Sequence, residues 1–252
     1  MLEQTFVARS FDRSGLGTLA PCSRAPGSLS EPGRDRSFRC LLAEAFAGTP
    51  SLRWRVLLGL LLVAGAAGRS AAAAVSWAVD SGGSWHVGAN WSGGAVPGAA
   101  DDVTIDRPSG LYTITMASSA ACRSINNAEN LAISASVLTV TAGMTVDGTV
   151  TLTGTGDITF SGTQTLGGTG EVVLSTSSNN LNVTGAGSTL TIGPSFTVRG
   201  PSGTVGSSAD GLINEGTIRA EGAGQLNLTG TNWTNTGVIE AVSGGTLDLE
   251  GT

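Results

Sequence analysis

Apolar residues recur along this chain as short triplets, one apolar residue on either side of a polar one, with Gly, Ser, Asn or Asp between triplets. They begin irregularly at Val103-Thr104-Ile105, Tyr112-Thr113-Ile114, Ser124-Ile125-Asn126 and Leu131-Ala132-Ile133. Regular sets follow. Leu138-Thr-Val, Met144-Thr-Val and Val150-Thr-Leu make one. Ile158-Thr-Phe, Gln164-Thr-Leu and Val172-Val-Leu make the next, and Leu181-Asn-Val, Leu190-Thr-Ile and Phe196-Thr-Val a third. Alternate side chains of an extended strand point to opposite faces, so each triplet turns its apolar pair inward and its middle residue outward. No such triplet can bury its own apolar face. Three triplets and three Gly- or Ser-rich corners in about 20–24 residues close one coil, and stacked coils share a continuous apolar interior. The pattern predicts an all-β, right-handed parallel β-helix of about six coils, three short strands per coil, over residues 103–252; the handedness follows the general preference of parallel crossovers.

The clearest repeat lies at 212–252. Asn214–Thr231 laid over Asn235–Thr252, an offset of 21 residues, matches at nine of 18 positions. If 21 residues make one turn, Asn214 stacks on Asn235 and Gly216 on Gly237, and the two amides form a ladder along one corner. Leu247 and Leu249 then lie in a final strand whose edge faces solvent. A helix is excluded by the frequency of Gly, Thr and Val and by the missing 3.6-residue period. A β-sandwich calls for longer strands and hairpin turns of the Asn-Gly type.

Upstream of the triplets, Val75–Asp106 contains Trp77, Trp85 and Trp91 in a Gly-rich setting. The first coil of a solenoid exposes an apolar end and an unpaired edge, which a Trp-rich N-terminal cap over residues 75–106 would cover. A carbohydrate-stacking platform is the competing reading of the same tryptophans. Residues 53–74 combine Arg53 and Arg55, the apolar run Val56–Gly68 and a small-residue tail, which reads as a signal peptide cleaved near Ala72–Ala74. Residues 1–52 show no periodicity and are broken by Pro21, Pro26, Pro32 and Pro50. They are expected to be a disordered leader, either unusually long or an over-extended reading frame whose true start lies near Leu41–Leu52.

Composition narrows the functional classes. All 13 basic residues are Arg, and charged residues make up only 13% of the chain. From Val75 onward there are four Arg against fourteen Asp or Glu. An acidic body of this kind argues against nucleic-acid binding. Cys122 stands alone in the body and reads as a small buried apolar residue; no set of spaced ligands suggests a metal. Asp101, Asp102 and Asp106 form the densest acidic group but lack the spacing of a calcium loop, and Thr-Gly-Thr-Gly-Asp at 153–157 occurs once. Arg123, Arg199 and Arg219 are scattered, and His86 is alone in the cap, so neither a lyase base nor a nucleophile–base pair emerges. The outward Thr139, Thr145, Thr151, Thr159, Thr165, Thr191 and Thr197 suggest an ice-binding row, interrupted by Val173 and Asn182; Thr is also simply a good strand former. The glycosylation-type triplets at Asn90, Asn182, Asn227 and Asn232 are read as chance matches in a chain so rich in Asn, Ser and Thr.

The segment from Trp85 to Asp106, with TVDGTVTLTGTG at 145–156 and the NxGxIxA…GGTLxLxGT unit at 235–252, resembles bacterial exported β-helix proteins of the adhesin, haemagglutinin and autotransporter-passenger type. The resemblance covers residues 77–252 and implies a secreted or cell-surface protein with a structural or adhesive role and no catalysis. On that basis the chain is expected to be a truncated member of the group. Surface polysaccharide or other cells are the expected partners, with membrane contact only during export. No catalytic, cofactor-binding or metal residue is expected. A carbohydrate-binding or polysaccharide-degrading β-helix is the alternative.

Overall fold

The structure is a computed structural model that describes residues 7–10, 18–21, 72–108 and 110–251. The chain divides into two units, Met1–Ala67 and Gly68–Thr252. In the first, Val7–Ser10 pairs antiparallel with Thr18–Pro21, joining Val7 to Pro21 and Ser10 to Thr18. The leader, expected to lack regular structure, thus contains one two-stranded pair. Of the signal segment expected at 53–74, residues 53–71, like the start positions near Leu41–Leu52, lie outside the described residues, while Ala74 stands in the opening strand and pairs with Asp102.

The second unit is a parallel β-solenoid of three sheets with eight, eight and seven strands. Within the stack each strand pairs in parallel with its equivalents in the coils before and after it, and the end strands of each sheet pair on one side only. Ala74–Ser76 and Gly83–Ser84 form an opening partial coil. Seven complete coils follow. The first is Asp102–Ile105, Thr113–Met116 and Ala120–Cys122, and the last is Thr234–Asn235, Val238–Val242 and Thr246–Gly251. The count exceeds the expected six because the first coil hides its third strand. Ala120-Ala121-Cys122 pairs with Leu138–Val140 although it carries no large apolar pair.

Inward positions stack into continuous columns. On the first sheet Val103, Ile125, Met144, Leu166 and Ile192 lie in register. On the second, Val150, Val172, Val198 and Ile218 do so, and on the third Leu138, Ile158, Leu181, Val205 and Leu228. All of these are buried. Each such side chain contributes about 1.5–3 kcal/mol on leaving water, and none could be buried without the coils above and below it.

Three triplets are placed differently from their sequence reading. In Ser124-Ile125-Asn126 the middle residue, Ile125, points inward, and Asn127 is the second buried position. The buried pair of the first coil is Ile114 and Met116, with Tyr112 half-buried before the strand. Phe196 packs at a corner while Val198 takes the sheet position.

The corner between the first and second sheets is tight. A Cβ on Gly148 would sit 2.1 Å from the Glu129 carbonyl oxygen, and one on Gly170 2.1 Å from that of Gly148. Gly216 and Gly237, the pair singled out from the repeat, occupy the same column, where a Cβ on Gly237 would meet the Gly216 carbonyl at 2.1 Å. Backbone touches backbone from coil to coil, so only glycine fits.

The tryptophans cap the N-terminal end. Trp77, Trp85 and Trp91 are all buried, and Trp91 meets Trp77 and Trp85 edge to face at centroid distances of 5.0 and 4.8 Å. Trp77 Nε1 donates to the Ser81 carbonyl at 3.0 Å and Trp91 Nε1 to that of Trp85 at 2.6 Å. Arg107 ties the cap to the first coil through Asp80 and the Trp77 carbonyl. In the last described coil, Val238 and Leu249 are exposed, and Trp233, Ile239 and Leu247 are only partly buried.

Candidate functional site

The chemistry-bearing side chains of the solenoid are largely engaged with one another. Asp102 receives hydrogen bonds from the Arg123 guanidinium and the Ser124 hydroxyl one coil on, which hold its carboxyl below the usual carboxylate range. Asp101 accepts from the Gly98 amide at 2.8 Å and closes a turn, whereas Asp106 is exposed. The acidic group of the sequence is therefore split between three separate settings. Among the described residues no three His, Cys, Asp or Glu side chains gather in a way that could hold an ion.

The arginines that look scattered in sequence meet on the second sheet. Arg199 and Arg219 occupy paired positions on adjacent strands. Arg199 grips both oxygens of Glu171, at 2.6 and 2.8 Å, and reaches Glu221 at 2.5 Å, while Arg219 holds Glu240 at 2.6 Å. Three carboxylates thus flank two guanidiniums over four successive coils. The bond to Arg199 holds the Glu171 carboxyl below its ordinary range, and Glu171 in turn raises the affinity of Arg199 for its proton. This fork-shaped pairing binds one coil to another and sets the Arg199 charge between two carboxylates.

His86 places Nε2 2.8 Å from the Ser118 carbonyl and joins the partial coil to the turn of the first. Cys122 is buried, and burial pushes its thiol up to about 12, out of reach of nucleophilic chemistry. The three cap tryptophans, Trp77, Trp85 and Trp91, present no exposed ring to a sugar. The outward threonines divide among the three sheets. Thr139 pairs with Thr159 and Thr165 with Thr191, but Thr145 pairs with Gly167 and Thr151 with Ala132 and Val173, so no continuous threonine row forms. Of the glycosylation-type asparagines, Asn90 donates to the Ser84 carbonyl inside the cap, and Asn232 is exposed on a turn with φ of 53°.

The predicted Asn ladder is present. Asn214 Nδ2 donates to Asn235 Oδ1 at 2.7 Å, and each amide also reaches the carbonyl two residues on. Sequence reasoning missed three further polar plugs at corners. Asn179 is fully buried, accepts from the amides of Ser175 and Thr176 and donates to the carbonyls of Gly154 and Gly156 in the coil below. Glu129, also buried, accepts from the amides of Arg107 and Tyr112 and closes the 105–112 turn. Gln164 fills an inward position and satisfies itself on Gly143, Val140 and Ser161. The only signal for any of them was a polar residue where the triplet pattern wants an apolar one or a turn.

Two shallow depressions remain on the outer surface. One, of about 340 Å³, lies on the first sheet between Asp102, Asn126, Thr145 and Thr165, above the side-chain-free Gly143 and Gly167. The other, of about 290 Å³, follows the glycine corner between the first and second sheets, beside Leu111, Asp147, Thr149 and Glu171. Among the described residues no helix is long and apolar enough to cross a membrane. No family model matches the chain, and no curated protein or solved structure matches it.

Proposed function

We propose that this chain is a structural or adhesive segment of an exported, surface-located β-solenoid protein, presenting its flat faces as a rigid display surface. The observation that carries the reading is where the polar chemistry goes. The Glu171–Arg199–Glu221 and Arg219–Glu240 pairs, the Asp102–Arg123 pair and the Asn214–Asn235 ladder all run from coil to coil. They tie each coil to the next and so stiffen the stack. A glycan-cleaving site needs two carboxylates, or a carboxylate and a base, free to face one bond; of the two carboxylates beside the corner depression, Glu171 is gripped by Arg199 and Asp147 is held by Thr169. The resemblance of residues 77–252 to exported β-helix surface proteins, and the signal-type segment before them, favour export.

Two experiments test this reading. Cells deleted for the gene should attach to surfaces and to one another less well than the parent, and equal attachment by both strains removes the adhesive role. The purified chain, incubated with a panel of polysaccharides, should release no new reducing ends or unsaturated products; release of either makes it an enzyme.

A further inference from the structure

We propose that the depression along the corner between the first and second sheets is a binding groove for a neutral, linear glycan; this inference rests on the adhesive reading above and names its ligand class. The groove has a floor, a wall and a closed N-terminal end. Its floor is one outward row on the second sheet, in which Asn130 pairs with Thr149, Thr149 with Glu171 and Glu171 with Thr197. Three rung spacings of about 4.8 Å make this row ~14 Å long, room for a few sugar rings lying along the solenoid axis. Amide, hydroxyl, carboxylate and hydroxyl follow one another along it, a mixture of donors and acceptors suited to sugar hydroxyls.

The wall is built by the glycine corner. Because Gly148 and Gly170 carry no side chain, the backbone draws in, and Asp147 and Thr169 stand beside the row. Asp147 Oδ1 receives both the amide and the hydroxyl of Thr169, at 2.9 and 3.0 Å, which fixes a carboxylate that borders the groove. Leu111 closes the N-terminal end. It is 71% exposed, the most exposed large hydrophobic side chain of the described residues, and its turn is held by Glu129 beneath it. An apolar side chain in the open beside a polar row offers the C–H face of a sugar ring its contact.

Charge selects among glycans. The groove is lined by two carboxylates and no cation, and Arg199, outside the lining, is paired with Glu171 and Glu221. A uronate or sulfated chain would meet two carboxylates and no cation in the lining, which excludes an anionic ligand; the hydroxyl and amide groups of the floor suit a neutral one. The first-sheet depression lacks an apolar contact of this kind, and its Asp102 is held by Arg123 and Ser124.

The test is calorimetric titration of the full chain with cellotetraose, xylotetraose, mannotetraose and chitotetraose, and with tetragalacturonate as the acidic counterpart. At least one neutral tetrasaccharide should bind. Its affinity should fall about tenfold or more in Leu111→Ser and in Thr149→Arg, and stay unchanged in Thr159→Arg on the third sheet. Circular dichroism melts of the variants separate lost binding from lost fold. Absence of binding by all four at millimolar concentration overturns the inference, as does equal binding of tetragalacturonate or indifference to both groove substitutions. A deletion strain that attaches poorly although the purified chain binds none of the four sugars would keep the adhesive reading and reject the groove.

Discussion

Replacing Asn179 tests whether buried amides at the corners hold the coils together. Asn179 is inaccessible to solvent and uses its full bonding capacity, accepting from Ser175 and Thr176 at 2.9 Å each and donating to Gly154 and Gly156 at 3.1 and 3.0 Å. In Asn179→Ala not every partner is stranded. The Ser175 amide also donates to the Leu152 carbonyl, and the Gly154 carbonyl also accepts from the Thr176 hydroxyl at 2.6 Å. The Thr176 amide and the Gly156 carbonyl lose the bond that Asn179 supplies. At roughly 1–3 kcal/mol for each stranded buried group, and with some relief from water entering the space, the substitution should cost about 3 kcal/mol. For a body of this size that is a fall in Tm of ~6–12 °C. Asn179→Asp adds a sign. Its carboxylate would keep the two accepted bonds but point an anionic oxygen at two carbonyls, raising its folded pKa above the ordinary value of about 3.9. A carboxyl raised on folding binds its proton more tightly in the folded chain. Its stability contribution is therefore fully present below about pH 3.9 and is lost as pH rises through the folded pKa. The gap in Tm between Asn179→Asp and wild type, read by circular dichroism, should be small near pH 4 and wide at pH 7. A melt of Asn179→Ala within 2 °C of wild type, or a gap for Asn179→Asp that ignores pH, would refute the reasoning.

Other expectations follow from the same contacts. Arg199→Gln should cost about 1 kcal/mol at neutral pH, since the network is partly exposed. Glu171 is depressed on folding, so that contribution is present above the ordinary Glu value of about 4.3 and lost as pH falls through the folded pKa; melts of wild type and variant should therefore converge in acid, and a constant gap would exclude the pair as its source. Cys122 should resist a thiol-specific disulfide reagent at pH 8 in the native chain and react in guanidinium, and rapid native labelling would contradict its burial. Hydrogen exchange should be faster at Leu247–Leu249, in the partly exposed last coil, than at Leu181–Val183 in the middle of the stack. Equal protection of both segments in a monomer would mean that something covers that coil.

Much of this architecture is written in short-range pattern. Alternation within a triplet decides which face each residue takes, because successive side chains of a strand point to opposite sides. Inwardness was therefore legible at Leu138, Val150, Ile158 and Leu181 without any knowledge of their neighbours. The 21-residue repeat carried more, since equal spacing places equivalent residues one above the other, as the 2.7 Å bond between Asn214 and Asn235 bears out. The tryptophan cap could be read because bulky rings among glycines need something to cover.

The tertiary structure alone decided what depends on coil length. Glu171, Arg199 and Glu221 are 28 and 22 residues apart, and they meet because the coils between them close at those lengths. Coil length varies with each corner, so no local pattern predicts which outward residues become neighbours; the same drift divides the threonines among three sheets and removes the row that their spacing suggests. The first coil was undercounted because Ala120-Ala121-Cys122 earns its place by pairing with Leu138–Val140, not by its own apolar pattern. Asn179 and Glu129 look like ordinary turn residues in sequence, and only the stack shows them sealed inside, answering backbone groups from the coil or turn beside them. Sequence by itself determined the inside and the outside of this solenoid, because that is set by the geometry of a single strand. Which outer residues meet, and where the corner draws in beside Leu111 and Asp147, was decided only when the coils were stacked, because those contacts are made across rungs some 20 residues apart.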